Sequence, residues 1–143
     1  MTDNAASDLH TASSSRSTPP SLPLKGIRVV EFSHMVMGPA CGMVLADLGA
    51  EVIKVEPVTG DLTRGLLGAG AGFFPMFNRN KKSVAIDLRQ PQGLQAAIRL
   101  ASTADVVLQN FKPGVLKKYG LDYASLSKLH PGLIYVNHTG FLP

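Results

Sequence analysis

The stretch that decides the fold is Ile27–Phe32, with the sequence IRVVEF, which continues into Ser33–Met37 (SHMVM) and then Gly38-Pro39. A short apolar run followed by polar residues and glycine predicts a buried β-strand that ends in a loop. The same arrangement returns at Leu133–Val136 (LIYV), which leads into Asn137–Phe141. Because ligands of open α/β sheets bind beyond the carboxyl ends of the strands, these loops are the first candidates for a binding site.

The rest of the chain alternates strand-like and helix-like segments. Further strands are predicted at Val52–Val55, Ser83–Leu88 and Asp105–Leu108. Helices are predicted from Pro39 to Gly49 and from Pro91 to Ala101, with two short ones near 115–119 and 123–129. The glycine-bearing stretch Glu56–Gly72 predicts an irregular loop. This alternation predicts an α/β fold with a Rossmann-like parallel sheet and flanking helices.

The 143 residues are enough for one globular domain. Residues 1–23 differ from the rest, because Ser, Thr and Pro dominate and Leu9 and Leu22 are the only large apolar residues after Met1. We therefore predict a disordered leader over 1–23 and a folded domain over 24–143. The leader has neither the apolar run of a secretory signal nor the composition of a transit peptide. With a single cysteine, Cys41, these features favour a cytoplasmic protein.

The charge pattern limits the partners that we expect. The net charge is +4, and no long Lys/Arg block is interleaved with aromatic residues, so nucleic acid is not expected as a partner. No apolar stretch reaches the roughly 18 residues needed to cross a bilayer, so no membrane association is expected either. A small polyanion, such as a phosphate-bearing cofactor, matches the mildly basic chain better.

Polar clusters directly follow three predicted strands, at His34–Met37, Asn110–Lys112 and Asn137–Thr139. We expect them to face one edge of the sheet together. Gly38 and Pro39 would let backbone amides at the start of a helix approach a phosphate or carbonyl oxygen, although the same pair is also a common structural turn.

Other polar residues are open to two interpretations. The segment Asn78–Lys82, here called the basic turn, carries three cations and two amides that could hold phosphates or simply be solvated. His34 and His138 are candidate general bases, but we expect hydrogen-bonded structural histidines. Cys41 lies beside Ala40 on the predicted helix, which indicates a buried position rather than a reactive thiol. No spacing typical of a metal site or a P-loop is present, so no metal is expected.

Several strings add a more specific signal. In chain order they are Pro23–Phe32 (PLKGIRVVEF), Gly38-Pro39, Leu45–Glu56 (LADLGAEVIKVE), Gly60-Asp61, Asn78–Ser83 (NRNKKS), Asp105–Gly114 (DVVLQNFKPG) and Leu133–Tyr135 (LIY). Their order and spacing closely resemble the N-terminal portion of the class III CoA-transferases, the CaiB/BaiF type, over essentially all of residues 23–143.

This resemblance implies a domain that binds coenzyme A thioesters. It implies transfer of CoA between an acyl-CoA and a carboxylic acid through a catalytic aspartate, in a homodimer of two interlocked chains. That aspartate is expected beyond Pro143, so the chain as given is expected to be a truncated, inactive CoA-binding portion without a catalytic residue of its own.

The resemblance also implies which residues contact CoA. Carried over by position, they are Val36, Met37, Phe77, Asn78, Arg79, Asn80, Asn110, Phe111, Lys112 and Lys118. Lys112, Lys118 and Arg79 would meet the phosphates, while Met37 and Phe77 would contact the adenine or the pantetheine arm.

One departure from the family pattern is visible. Where many relatives have Glu-Arg-Pro, this chain has Glu56-Pro57-Val58, so an arginine expected near the adenine nucleotide is absent. Two alternatives stay open. One is the acyl-CoA racemase branch of the same family, whose His and Asp pair would also lie past Pro143, and the other is a non-catalytic CoA-binding or nucleotide-binding module.

Overall fold

The computed structural model describes residues 21–140, so most of the predicted leader over 1–23 lies outside the described residues. Within them the strands are β1 Arg28–Phe32, β2 Glu51–Glu56, β3 Lys82–Ala85, β4 Val106–Gln109 and β5 Ile134–Asn137. The α-helices are α1 Met37–Asp47, α2 Phe73–Asn78, α3 Pro91–Ser102 and α4 Tyr123–Leu126. Three 3-10 turns lie at Leu62–Gly65, Gly68–Gly70 and Leu116–Tyr119.

The described strands form one parallel sheet in the order β3-β2-β1-β4-β5. This confirms the predicted α/β class and the Rossmann-like parallel sheet. The chain builds outward from β1 to β3 on one side and then returns to add β4 on the other side of β1. The strand order therefore reverses between β1 and β4, which is the position where folds of this class bind ligands.

Strand β1 lies at the centre of the core, and its alternate side chains face two different helical layers. One layer contains α3 and α4, and its buried apolar residues are Val30, Phe32, Val55, Ala97, Ala101, Ala104, Val107, Leu116, Leu121, Leu126 and Leu133. The other layer contains α1, and its buried apolar residues are Val29, Ala46, Ala50, Val52 and Leu108. With both faces covered, the carboxyl edge of the sheet is left to the loops.

Helix α1 begins two residues before the predicted start, so that Pro39 is its third residue. Proline is tolerated there because the first N–H groups of a helix have no intrahelical partner. Strand β3 is shorter than the predicted strand over Ser83–Leu88 and ends at Ala85. Ile86 still donates a 2.8 Å hydrogen bond to the carbonyl of Glu56, but the chain then turns away. The alternation of apolar residues continued past the strand because Ile86 and Leu88 pack against the core from a loop.

The predicted irregular loop over Glu56–Gly72 contains the first two 3-10 turns. The turn at Leu62–Gly65 is capped by Asp61, whose Oδ1 accepts a 2.9 Å hydrogen bond from the N–H of Thr63. Helix α2 follows directly and was not predicted, because its sequence FFPMFN contains a proline and has no side-chain cap. None of the helices in the described part of the chain is long and apolar enough to cross a membrane.

Candidate functional site

The loops that follow β1 and β4 are joined at the point where the strand order reverses. Asn110 accepts a 3.0 Å hydrogen bond from the backbone N–H of His34 and donates a 2.8 Å hydrogen bond to the His34 carbonyl. The imidazole of His34 also stacks on the ring of Phe111, with 5.1 Å between the ring centroids. Two of the three predicted polar clusters are therefore in direct contact.

The N-terminus of α1 packs closely against this junction. A Cβ atom on Gly38 would lie 2.6 Å from Cβ of Ser33 and 2.9 Å from Cγ of Asn110, so only glycine fits. Met35 adopts a left-handed conformation at φ 64°, which costs a non-glycine residue about 1–2 kcal/mol. The loop thereby leaves Met35 and Met37 exposed beside the junction.

A cavity of about 370 Å³, here called the His34 chamber, opens beside the junction. Its apolar walls come from β2, the loop after it and the segment after β4, namely Val55, Pro57, Leu62, Phe111 and Val115. Its polar lining consists of Ser33, His34, Glu56, Asp61 and Lys112. The chamber therefore combines a largely apolar wall with a small number of polar groups, as ligand pockets generally do.

A second cavity of about 460 Å³ adjoins the first, since Val55, Glu56, Pro57 and Phe111 line both. We call it the outer cavity. It extends along the loops Pro57–Thr59 and Ile86–Arg89 at the carboxyl ends of β2 and β3. Asp87 accepts hydrogen bonds from the backbone and the guanidinium of Arg89, and these bonds lower the pKa of the Asp87 carboxyl. Ile86–Arg89 was not among the predicted site residues, because most of this segment was predicted to be strand.

Glu56 holds the loop between β2 and α2 in place. Its carboxylate accepts two 2.8 Å hydrogen bonds from Arg64, one from the Ser83 hydroxyl and one from the N–H of Asp61. Burial acts to raise the pKa of Glu56, but these hydrogen bonds outweigh burial and lower the pKa to about 2. The guanidinium of Arg64 also lies 3.7 Å above the centroid of the Phe74 ring. Glu56 therefore faces the chamber with its charge already compensated.

Four charged side chains are buried between the sheet and α1, and we call Glu31, Lys54, Asp61 and Lys81 the buried-charge cluster. Lys54 Nζ lies 3.0 Å from Asp61 Oδ2 and 3.4 Å from Glu31 Oε1. Lys81 Nζ lies 2.8 Å from Glu31 Oε2 and donates a 2.8 Å hydrogen bond to the carbonyl of Pro39. Burial lowers the pKa of Lys81 despite the nearby carboxylate. The cluster ties α1 to the two segments that flank α2.

Apart from Lys81, the residues of the basic turn do not lie at the carboxyl edge of the sheet. Asp47, the last residue of α1, accepts hydrogen bonds from the side chains of Arg79 and Asn80. Helix α1 runs from the end of β1 to the start of β2, so Asp47 lies near the opposite edge. The Asn78 side chain is also engaged, since it donates to the Phe74 carbonyl and accepts from Lys81. Arg79, Asn80 and Lys82 are exposed, but the side chains of Arg79 and Asn80 are bound to Asp47, away from the junction.

Two of the lysines predicted to contact the CoA phosphates, Lys112 and Lys118, are unpaired in the described part of the chain. Lys112 and Lys118 are exposed, and neither ammonium has an ion pair or hydrogen bond among residues 21–140. Lys112 follows β4 and lines the His34 chamber, whereas Lys118 lies on the 3-10 turn Leu116–Tyr119. Both are available to an anionic ligand.

The remaining candidate site residues, Asn137, His138 and Cys41, have contacts that serve the fold. Asn137 accepts a hydrogen bond from the side chain of Gln109, and the N–H of His138 donates to the Gln109 carbonyl at 2.9 Å, so the third polar cluster is attached to the end of β4. Burial raises the pKa of the Cys41 thiol, and nearby Glu31 acts in the same direction, which opposes formation of a reactive thiolate.

A comparison with known protein families decides the identity. The family model described as CoA-transferase family III matches residues 24–143. The chain belongs to this family. This CoA-transferase family III chain is 47% identical over 130 residues to succinate–glutarate CoA-transferase of Agrobacterium fabrum, covering 83% of this chain and 32% of that protein. It is 42% identical over 125 residues to formyl-CoA:oxalate CoA-transferase of Afipia carboxidovorans, covering 84% of this chain and 30% of that protein.

Solved structures agree with the family assignment. The crystal structure of a CAIB/BAIF family protein from Brucella suis is 45% identical in sequence and superimposes with a TM-score of 0.79, covering 85% of this chain and 34% of that chain. The family III chain thus spans about a third of the length of the relatives that it matches.

Proposed function

We propose that this chain is the CoA-binding part of a CoA-transferase that moves CoA between an acyl-CoA thioester and a carboxylic acid. The observation that carries the proposal is the joined junction of His34 and Asn110 at the reversal point of a family III sheet. The names of the relatives support the same chemistry, since succinate–glutarate and formyl-CoA:oxalate CoA-transferases act on thioesters and carboxylic acids.

Coenzyme A extends along the carboxyl edge in this proposal. The outer cavity receives the adenosine end, because it is largely apolar and has Arg89 at its border. The thioester end lies toward the junction, where Val36, Met37 and the segment Asn110–Lys112 meet it. Lys118 supplies an unpaired positive charge for a phosphate group. Arg89 lines the same cavity as Pro57, where the arginine of many relatives is missing, and a phosphate there would share the Arg89 guanidinium with Asp87.

The predicted CoA contacts from Phe77 to Asn80 have less support than the others. The polar side chains of this segment are already bound to Asp47, Phe74 and Lys81. A CoA molecule would have to displace these bonds or use the Phe77 ring alone. We therefore centre the proposed site on the loops after β1, β3 and β4.

The transfer step needs a nucleophile, and the proposal places it outside the residues that match. Each aspartate between residues 21 and 140 is engaged, with Asp47, Asp61 and Asp87 bound to cations. Asp105 accepts a 2.8 Å hydrogen bond from the N–H of Arg28, and Asp122 accepts one from Ser125. An aspartate beyond Pro143, an interlocked homodimer and a cytoplasmic location are parts of the proposal that come from the family resemblance and the composition.

Calorimetric titration of the 143-residue chain with CoA tests the binding part, and saturable binding is expected. Incubation with succinyl-CoA and a panel of dicarboxylates tests the transfer part, and no exchange above buffer is expected from this chain alone. Absence of CoA binding by the folded chain would overturn the proposal. Transfer that disappears on mutation of a residue within 24–143 would contradict the placement of the nucleophile.

A further inference from the structure

A groove of about 600 Å³ lies beyond the carboxyl ends of β4 and β5, away from the CoA path proposed above. We call it the β5 groove. It is bounded by the end of β5, by α4 and by the 3-10 turn Leu116–Tyr119. Among the described residues, Lys112 lines both this groove and the His34 chamber, and the outer cavity shares no residue with the groove. Ligand pockets generally span roughly 300–1,000 Å³, so the β5 groove is large enough for a small molecule.

The polar groups that remain available in the β5 groove are mostly hydrogen-bond donors. Lys112 and Lys117 are exposed, and neither ammonium has an ion pair or hydrogen bond in the described part of the chain. Asn137 uses its side-chain oxygen to accept a hydrogen bond from the last residue of β4, which leaves its NH₂ group to donate. The one carboxylate of the lining, Asp122, already accepts a 2.6 Å hydrogen bond from the Ser125 hydroxyl. Two lysines against one carboxylate favour a ligand with a single negative charge.

Two tyrosine rings form an aromatic wall of the same groove. Tyr123 and Tyr135 meet edge to face, with 6.2 Å between the ring centroids and 62° between the ring planes. Tyr135 is held in place, because its hydroxyl donates a 2.9 Å hydrogen bond to the Leu121 carbonyl. Tyr123 is 52% exposed, so its ring is accessible from solvent. A further ring that packs on Tyr123 would extend an aromatic pair that already has a favourable geometry.

We infer that the β5 groove binds a small aromatic carboxylate, with the ring on Tyr123 and the carboxylate at Lys112 and Lys117. An aliphatic acid would leave Tyr123 without an aromatic partner, and a neutral aromatic molecule would leave both ammonium groups without a counter-charge. A ligand with both features uses the whole lining. The inference goes beyond the proposed function and does not depend on CoA binding.

The test titrates three probes of similar size into the 143-residue chain, namely phenylacetate, cyclohexylacetate and 2-phenylethanol. Cyclohexylacetate keeps the charge but has no aromatic ring, and 2-phenylethanol keeps the ring but has no charge. Chemical-shift changes of the backbone amides in ¹H–¹⁵N spectra report binding and its location. We expect phenylacetate to bind roughly two- to tenfold more tightly than cyclohexylacetate, because of the aromatic contact. It should bind about tenfold more tightly than 2-phenylethanol, because of the charge-assisted hydrogen bonds.

Substitutions at exposed positions locate the site without disturbing the core. Lys117→Ala should weaken phenylacetate binding about tenfold. Tyr123→Ala should remove the preference for phenylacetate over cyclohexylacetate, whereas Tyr123→Phe keeps the ring and should keep the preference. Lys128→Ala is the matched control, since Lys128 is an exposed lysine just after α4 that does not line the groove. This variant should bind phenylacetate like the wild type.

Three results would overturn the inference. They are no saturable binding of phenylacetate by the folded chain, equal affinities for phenylacetate and cyclohexylacetate, and unchanged phenylacetate affinity in Lys117→Ala. None of them bears on the proposed function, because neither Lys117 nor Tyr123 belongs to the proposed CoA site. A chain that binds phenylacetate in the groove but fails to bind CoA would reject the proposed function and leave the β5 groove as a separate site.

Discussion

Lys81, which lies just before β3, forms an ion pair with Glu31 on β1, with 2.8 Å between Nζ and Oε2 and side chains only 2% and 0% exposed. They come from segments fifty residues apart in sequence. Because Lys81 also donates to the Pro39 carbonyl, the pair fixes the first turn of α1 relative to the sheet. The loop that ends at Val36 leads directly into that turn, so the position of the candidate site depends on an almost fully buried ion pair.

Lys81→Met should destabilise the chain strongly. The substitution leaves Glu31 buried with only Lys54 opposite, and removal of one partner of a buried pair typically costs about 3–5 kcal/mol. Lys82→Met is the matched control, because Lys82 pairs with Glu51 but is 70% exposed, and an exposed pair contributes about 0–1 kcal/mol. Urea unfolding followed by circular dichroism measures the free energy of unfolding of both variants. Equal losses would show that the buried Lys81–Glu31 pair stabilises the fold no more than the exposed Lys82–Glu51 pair.

Gly42→Ala should destabilise the chain even though Gly42 lies inside a helix, where alanine is normally preferred by about 1 kcal/mol. A Cβ atom at this position would lie 1.8 Å from Oε2 of Glu31. Relief of that clash requires a shift of the buried-charge cluster, and we expect a loss of about 1–3 kcal/mol. Gly65→Ala has open space around its Cβ and should change the free energy of unfolding little. A stabilised Gly42→Ala variant would contradict the packing described for α1.

Glu56→Gln should reduce stability in a way that depends on pH. The pKa of Glu56 is lowered from 4.5 to about 2 in the folded chain, so its ionised form stabilises the fold above about pH 4.5. That contribution is lost as pH falls from about 4.5 toward 2, where the folded carboxyl becomes protonated. The difference in unfolding free energy between wild type and Glu56→Gln should therefore shrink between pH 5 and pH 2.5. Urea titrations across this pH range measure the difference. A difference that does not change with pH would show that the hydrogen bonds to ionised Glu56 are not its cause.

Lys118→Ala should weaken CoA binding if the proposed function holds. Loss of a charge-assisted contact to phosphate costs about 1.5–3 kcal/mol, or roughly tenfold to a hundredfold in affinity. Lys25→Ala is the control, because Lys25 is an exposed lysine that precedes β1 and lies away from the carboxyl edge. Calorimetry with CoA and with dephospho-CoA measures the loss and identifies which phosphate is contacted. Unchanged affinity for CoA would remove Lys118 from the site.

The fold was predictable because its signals are local. The apolar strand runs are short and bounded, and Pro91 marks the start of α3. The meeting of the loops that carry His34 and Asn110 was predictable as well. Both residues follow strands, and the carboxyl ends of parallel strands lie at the same edge of the sheet. The basic turn was harder, because the partners of Arg79 and Lys81 are Asp47 and Glu31, 32 and 50 residues away, and sequence does not show that pairing.

The environment of individual side chains was the least predictable feature of the candidate site. His34 was expected to be hydrogen-bonded, yet its Nδ1 is unpaired, because the ring is held by stacking and the backbone by Asn110. The loop Ile86–Arg89 was hidden by an alternation of apolar residues that reflects packing from a loop as well as pairing in the sheet. A useful signal was Arg89-Gln90 before Pro91, where two consecutive polar residues end the alternation.

The strand order also has a consequence for how the chain is made. The N–H of Arg28 in β1 is bonded to Asp105, 77 residues later, just before β4. At a synthesis rate of about 5–20 residues per second, roughly 4–15 seconds separate the appearance of the two residues on the ribosome. During that interval β1 can pair with β2 alone, and its other side stays open to water or to a chaperone. The side of the sheet that contains β4 and the junction is therefore completed last. A nascent chain forms its hydrophobic core in two steps, first around β1 to β3 and then around β4 and β5.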